Sequence, residues 1–487
     1  MLSHKVPLED LGDSRRVRPT YASRGLATQI PRYEMPAESI GPREAYQVIH
    51  DELALDGNPA LNLATFVTTW MDQEADQLMG EAANKNAIDW DEYPQTVELQ
   101  DRCVNMLARL YNSHDTHESV GCATVGSSEA IHLAGLAMKW RWRKQREAAG
   151  QPGDRPNIVM GANVQVCWEK FARYFDVEPR YVPLTNERFI IGVDEAMAMV
   201  DENTIGVVGI LGSTYTGEYE PIEQLNEALD ALCQKSDWDI PIHVDAASGG
   251  FVAPFLQPSL KWDFRLSRVR SINVSGHKYG LVYPGVGWVL WRDKSDLPSE
   301  LIFQVDYLGG SHSNFGLNFS RGAAQIVAQY YNFIRLGFSG YKEVMSTLSE
   351  ISKWLADRID EIGPFDVLAR GDDLPVVCFR LAENQPYSVF DFSEHLRERG
   401  WIIPAYKMAP DAQDVAVLRV VVREGLSYDL AEQLVDDLRA GVNHLQSQDA
   451  PSKASPVPTS RRSSRHSASR GGSGQHSPGE KKVRPVC

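Results

Sequence analysis

Between residues 61 and 345, short apolar runs alternate with helical stretches, and this alternation restricts the fold more than any other feature of the chain. Asn157–Met160, Ile205–Leu211, Ile240–Val244, Ser271–Ser275 and Val286–Trp291 read as strands. Glu129–Arg146, Val166–Phe175 and Ile222–Gln234 read as the helices between them. Apolar runs this short, separated by segments of helical period, predict an α/β domain on a mostly parallel sheet. Ligands of such sheets bind beyond the carboxyl ends of the strands.

The flanking segments read differently. Residues 1–60 form an N-terminal arm, with a helix over Glu44–Leu55 stopped by Asp56-Gly57-Asn58-Pro59. Residues 346–450 repeat the mixture on a smaller scale and predict an α+β domain: helices at Ser346–Ile362, Ser388–Arg399 and Ser427–Leu445, strands at Val376–Leu381 and Ala416–Val422. Residues 451–487 hold no aromatic and are dominated by Ser, Pro, Gly and basic side chains, so they are expected to be disordered. The tail has eight Lys or Arg against the single Glu480, which makes it +7 and leaves −23 on residues 1–450 of the net −16.

That acidic body argues against a surface that grips nucleic acid. Apolar runs such as Val207–Leu211 fall far short of the ~20 residues of a membrane helix, so no membrane association is expected. The first 25 residues mix bases with Glu9, Asp10 and Asp13 and contain no apolar leader core. Six widely spaced cysteines form no CxxC pair, which favours a reducing, cytoplasmic setting over a zinc site or disulfide frame.

Four local features carry chemistry. Ser275-Gly276-His277-Lys278 follows a strand and offers an amine beside exposed backbone; alone it is equally a solvated turn. His243-Val244-Asp245-Ala246-Ala247-Ser248 ends a strand with an aspartate, which either meets a cationic partner or caps the next turn. Gly126-Ser127-Ser128-Glu129 opens a long helix and is either a phosphate seat or an ordinary serine cap. Asn163-Val164-Gln165 presents a planar amide that either lies on an aromatic ring or belongs to a surface loop. Each follows a predicted strand, so all four can meet at one sheet edge. Together they supply an amine, a partner for a protonated pyridine nitrogen, a phosphate cradle and a stacking group, the requirements of pyridoxal phosphate. No GxGxxG follows a strand, which removes most support for a nucleotide-dependent dehydrogenase.

From Leu61 to Leu445 the chain resembles the group II pyridoxal-phosphate decarboxylases, in their glutamate decarboxylase branch. The resemblance rests on Asn62-Leu63-Ala64-Thr65-Phe66, Asn84-Lys85-Asn86-Ala87-Ile88-Asp89, Gly126-Ser127-Ser128-Glu129-Ala130, Asp245-Ala246-Ala247-Ser248-Gly249-Gly250, Ser275-Gly276-His277-Lys278, Asp306-Tyr307-Leu308-Gly309-Gly310 and Asn318-Phe319-Ser320-Arg321. It implies a fold-type I enzyme, aspartate aminotransferase-like, that converts L-glutamate to 4-aminobutanoate and carbon dioxide. By the same resemblance Lys278 is the Schiff-base lysine, Asp245 binds the pyridine nitrogen, and Gln165 and Ala247 cover the two ring faces. Thr214 meets the ring hydroxyl. Ser127, Ser128, Ser275 and His277 hold the phosphate, joined by Ser320 from a neighbouring subunit. The implied assembly is a homo-oligomer with a dimer unit, a hexamer being a larger candidate.

Thr65, the Phe66 backbone, Asn86 and Asp89 match the group that receives the distal carboxylate, and Arg419 matches an active-site arginine near the α-carboxylate. An aspartate facing a carboxylate is a like-charge pair unless one is protonated, so activity is expected to favour acidic pH. His277 and Lys278 are both candidates for returning a proton to the substrate. No metal site is expected. Plant relatives carry a calmodulin-binding segment, but this tail lacks the Trp, Phe, Leu and Ile anchors such segments use, so calmodulin binding is not expected. Arg461-Arg462-Ser463-Ser464 and Ser477-Pro478 suggest kinase sites in the tail. Trp140-Arg141-Trp142-Arg143-Lys144 is expected to pack and face solvent, Cys122 and Cys167 to be buried thiols, and His132 and His243 to be satisfied interior groups.

Overall fold

The computed structural model describes residue 31 and residues 33–113, 119–306 and 312–448. The tail from 451, with its candidate kinase sites, lies outside the described residues, as do most of the arm and positions 307–310. Helix α1 (Pro42–Leu53) is followed by α2 (Gln73–Ala82) and α3 (Pro94–Leu110). The large unit then runs β1 (Val120–Thr124), α4 (Ser127–Ala148), β2 (Asn157–Gly161), α5 (Val166–Tyr174), β3 (Glu178–Val182), α6 (Val193–Ala198), β4 (Thr204–Ile210), α7 (Ile222–Ser236), β5 (Ile242–Asp245), α8 (Ala253–Leu256), β6 (Val269–Val274) and β7 (Gly287–Trp291). A short ribbon of β8 (Phe303–Val305) and β9 (His312–Asn314) precedes the long helix α9 (Ala324–Asp360). The smaller unit contains β10 (Phe365–Arg370), β11 (Val376–Leu381), α10 (Val389–Glu398), β12 (Ala405–Lys407), β13 (Ala416–Val421) and α11 (Tyr428–Gln448).

The large sheet has the strand order β1-β7-β6-β5-β4-β2-β3. Strands β2 to β6 pair in parallel, and β7 alone runs against its neighbours β1 and β6. The apolar run of β4 explains its central place, because all seven of its residues are buried. Val207 packs in the cluster that holds Leu225 of α7, and Val208 in the cluster that holds Met138 of α4 and Trp168 of α5. Helices therefore cover both faces. Strands β1 and β3 were not among the expected strands; β3 is largely exposed and lacks a continuous apolar run.

The expected division at residue 345 falls within α9, which carries the chain between the two units. This helix kinks at Gly337, whose φ of 59° and ψ of −171° lie outside the range of most L side chains. The small sheet is antiparallel in the order β10-β11-β13-β12. The segment after α1 docks on it: Leu63 N–H donates to Ile402 O and Val421 N–H to Leu63 O, both at 3.0 Å. Thr65 and Phe66 are thereby held where the two units meet.

Candidate active site

The carboxyl ends of β1, β2, β4, β5 and β6 open onto one cavity of about 380 Å³. Gly126, Ser127 and Ser128 enter it at the start of α4, Gln165 at the start of α5, and Thr214 beyond β4. Asp245, Ala247 and Ser248 enter beyond β5, and Ser275, His277 and Lys278 beyond β6.

Lys278 is half-buried, and its Nζ donates to Ser248 Oγ at 3.2 Å. Burial, opposed by Asp245, holds its pKa below the usual lysine range and so favours the neutral, nucleophilic amine. Thr68 clamps the segment from behind, its Oγ1 donating to Lys278 O at 2.7 Å and its N–H to His277 O at 2.9 Å.

Asp245 is the last residue of β5 and is 6% exposed. Its Oδ1 accepts from the Ala247 N–H at 3.2 Å and from Asn273 Nδ2 at 3.1 Å, and its Oδ2 accepts from Trp168 Nε1 at 3.0 Å. The aspartate thus caps its local turn and is aimed into the cavity at once. Three donors hold it rigidly, which offsets part of the cost of burying a carboxylate.

The serines do not act as ordinary caps. The N-cap of α4 is Gly126, and Ser127 stands at the first helical position. Ser127 Oγ lies 2.7 Å from Ser275 Oγ and accepts from Asn273 Nδ2 at 3.0 Å. One hydroxyl hydrogen of the serine pair links the two oxygens, and the other remains for an anion at the helix N-terminus. Gln165, by contrast, is the N-cap of α5, its Oε1 accepting from the Cys167 N–H at 2.7 Å, and it lines the cavity from that position.

The sequence matches the Pyridoxal-dependent decarboxylase conserved domain over residues 31–382. The chain belongs to this family. It is 56% identical to the glutamate decarboxylase of Solanum lycopersicum over 88% of this chain and 86% of the relative. It is 51% identical to that of Aliivibrio fischeri over 86% of this chain and 91% of the relative. The solved Lactobacillus brevis glutamate decarboxylase superposes with a TM-score of 0.85 at 42% identity, covering 90% of this chain and 99% of that one. The fold is that of a fold-type I pyridoxal-phosphate decarboxylase, a carboxy-lyase.

The cavity of this decarboxylase fits pyridoxal phosphate on its own geometry. His277 Nδ1 is buried in the cavity wall without a hydrogen-bond partner. Burial, reinforced by Lys278, lowers the His277 pKa to about 4, so the imidazole is neutral near pH 7. The cradle admits backbone only: a Cβ on Gly126 would stand 3.1 Å from His277 Cε1, and one on Gly287 would stand 2.6 Å from the Gly126 carbonyl carbon. An acceptor oxygen approaching Ser127, Ser275 and His277 meets an unspent donor and an unpaired ring nitrogen.

The candidate substrate residues divide into two places. Phe66 lies beside the cavity, its ring centroid 5.5 Å from Lys278 Nζ and 4.8 Å from Arg419 Cζ. Arg419 is 7% exposed, its NH2 donates to Ala64 O at 2.6 Å, its NH1 donates to Thr214 O, and its Nε is buried without a partner. Thr65 Oγ1 accepts from the Val67 N–H at 3.0 Å. Asn86, Asp89 and Ser320 gather elsewhere. Asn86 Nδ2 donates to Asp89 Oδ1, and Asn86 Oδ1 accepts from the Arg321 N–H, both at 3.1 Å. Ser320 lines a separate cavity of about 280 Å³ beyond Val125.

Sequence reasoning passed over three residues that hold the site. Trp168 and Asn273 orient Asp245, and Glu129 accepts from the N–H groups of Val125, Leu317 and Asn318 at 2.8, 3.1 and 3.2 Å. The signal for Asn273 was visible: Ser271, Asn273 and Ser275 stand at alternate positions of an otherwise apolar run. The duller features are structural. Trp142 is buried and its Nε1 donates to Glu202 O at 3.0 Å, Arg141 pairs with Asp239, and burial pushes the Cys122 and Cys167 thiols up to about 12.

Proposed function

We propose that this enzyme decarboxylates L-glutamate to 4-aminobutanoate and carbon dioxide. The relatives that align over most of its length support the substrate. Within the structure, one observation carries the reading: the half-buried amine of Lys278 and a buried guanidinium with an unpaired Nε, Arg419, flank the Phe66 ring beside the cavity. A buried cation with donors to spare favours an anionic ligand, and an amino acid supplies both an amine to exchange and a carboxylate to bind.

Pyridoxal phosphate, when bound, supplies the electron sink that accepts the bond electrons of the departing carboxylate. Ser127, Ser128, Ser275 and His277 would hold its phosphate, with Ser320 of a second copy. Asp245 would hold the pyridine nitrogen, Thr214 the ring hydroxyl, and Gln165 and Ala247 the two faces. Lys278 would bind the cofactor through its Nζ amine and release it to the incoming substrate. Arg419 would orient the α-carboxylate, while Thr65, the Phe66 backbone, Asn86 and Asp89 would receive the distal one. Lys278 and His277 both line the cavity, so either would hold the proton returned to the α-carbon.

The gathering of Asn86, Asp89 and Ser320 away from Lys278 supports a working unit of at least two copies, each supplying these residues to the other. Among the described residues no helix is long and apolar enough to cross a membrane, and the five described cysteines are unpaired and buried. These features support a cytoplasmic setting.

The test is carbon dioxide release by the full chain with pyridoxal phosphate over roughly pH 4–8, a window spanning carboxylate and histidine titrations. Glutamate should react well ahead of aspartate, cysteine sulfinate and aromatic amino acids, with the optimum on the acidic side. A preference for any of the others would sink the substrate assignment. An Asp89→Asn variant with wild-type pH dependence would remove Asp89 from the distal site.

A further inference from the structure

We propose that Asn273 is a positioning residue that sets the spacing between the two ends of the cofactor seat, Asp245 and Ser127, and that His243, itself held by Ser271, anchors its amide. This rests on the reading of Asp245 and Ser127 as the ring and phosphate ends of that seat.

The arrangement begins with strand register. In the parallel β5–β6 pair, His243 stands opposite Ser271 and Asp245 opposite Asn273. Side chains alternate across a strand, so these four polar groups share one face of the sheet. That face is closed to solvent: His243 and Asn273 are fully buried, and Ser271 nearly so.

The Asp245 carboxylate, an acceptor only, fixes the orientation of the Asn273 amide. Asn273 Nδ2 carries two hydrogens and has two acceptors, Asp245 Oδ1 at 3.1 Å and Ser127 Oγ at 3.0 Å. Its Oδ1 lies 2.8 Å from His243 Nε2. A carbonyl oxygen only accepts, so His243 carries its hydrogen on Nε2. His243 Nδ1, 2.7 Å from Ser271 Oγ, is then the acceptor of the Ser271 hydroxyl. Every group in the chain Ser271–His243–Asn273 is satisfied. A flipped amide would set its oxygen against the Asp245 carboxylate, which only accepts, and that bond would be lost. Burial lowers the His243 pKa to about 4, which keeps the ring in this neutral form. The Trp168 ring, 5.3 Å from the His243 ring, closes the other side and also holds Asp245.

One planar amide therefore bridges β5, which ends in the Asp245 carboxylate, to the start of α4, which carries the phosphate-seat serine. Such a bridge matters only to a ligand that uses both ends.

The experiment is the dissociation constant of pyridoxal phosphate for full-length Asn273→Ser and Asn273→Asp, beside the melting temperatures of the cofactor-free and loaded forms. Both variants should weaken the cofactor ~10–100-fold, the range expected for losing a hydrogen bond to a charged group. His243→Leu should weaken it by a smaller factor, and His243→Gln, which keeps a donor, should recover much of that loss. Asp245→Ala and Ser127→Ala, measured in parallel, test the seat itself. If they lose the cofactor while Asn273→Ser keeps it within about threefold, the bridge is wrong and the seat stands. If they too bind normally, the seat reading fails. Should Asn273→Asp not fold, Asn273→Ser decides; an equal fall of both melting temperatures with unchanged cofactor affinity would make Asn273 merely structural and overturn the proposal.

Discussion

The indole N–H of Trp168 donates to Asp245 Oδ2 at 3.0 Å, so the first turn of α5 fixes the carboxylate that faces the cavity. Trp168 is fully buried, and the bond draws on the remote end of a large side chain. Trp168→Phe keeps most of the packing and removes the donor. The cofactor dissociation constant should rise ~10-fold, and the melting temperature should fall by several degrees, since a partial cavity costs about 1–3 kcal/mol. Fluorescence titration and thermal unfolding of the cofactor-free protein measure the two separately. An unchanged dissociation constant would remove Trp168 from the site.

Arg419 holds its place through two backbone carbonyls, Ala64 O and Thr214 O, and keeps its Nε free. Lysine can match the charge but not this fork. Arg419→Lys should lower kcat/KM for glutamate by ~10²-fold, the scale of a lost bidentate charged contact. Steady-state rates with glutamate decide it. A variant within threefold of wild type would mean that Arg419 serves only to join the two units.

Asn86, Asp89 and Ser320 are not among the residues lining the cavity of Lys278 within one copy. Lys278→Ala and Asp89→Ala subunits, each inactive alone, should regain activity when mixed and reassembled, because one site of a mixed dimer is then intact. Failure of all mixing ratios to restore carbon dioxide release, with mixed dimers verified by mass, would place Asp89 in the same site as its own Lys278.

His243 and His277 both titrate near 4 when folded, chiefly through burial, against 6.5 ordinarily. A base with a depressed folded value contributes stability above its unfolded value and loses it as pH falls through the folded value. Each should contribute on the order of 3 kcal/mol at pH 7 that fades between pH 6.5 and 4. Glu220 has the opposite sign: burial raises it to about 7, so its contribution is lost as pH rises toward 7. The His243→Gln comparison isolates one group. Its cofactor-free melting temperature should drop less between pH 6.5 and 4 than that of wild type. An equal drop would mean that His243 is not the buried base driving the change.

Lys278, Asp245 and the serine–glycine turn were all legible as residues of one cavity, because each stands just past an apolar run and chemistry at strand ends has a short-range signature. The β4 run announced its own burial for the same reason. Gln165 was legible as a cavity residue, but its capping bond to the Cys167 N–H was not, since capping depends on where α5 begins. Trp168 gave no signal: a tryptophan in an amphipathic helix reads as core, and its bond to Asp245 spans 77 residues of chain.

By itself the sequence determined the α/β order of elements, the chemical types at each strand exit and the family to which they belong, all of which follow from local period and motif. Only the tertiary structure decided which of those residues share a cavity. Register across β5 and β6 put Asn273 opposite Asp245, and the docking of residues 61–63 on the small sheet brought Phe66 between Lys278 and Arg419. Strand order and register arise from packing among segments remote in the chain, and no local pattern encodes them.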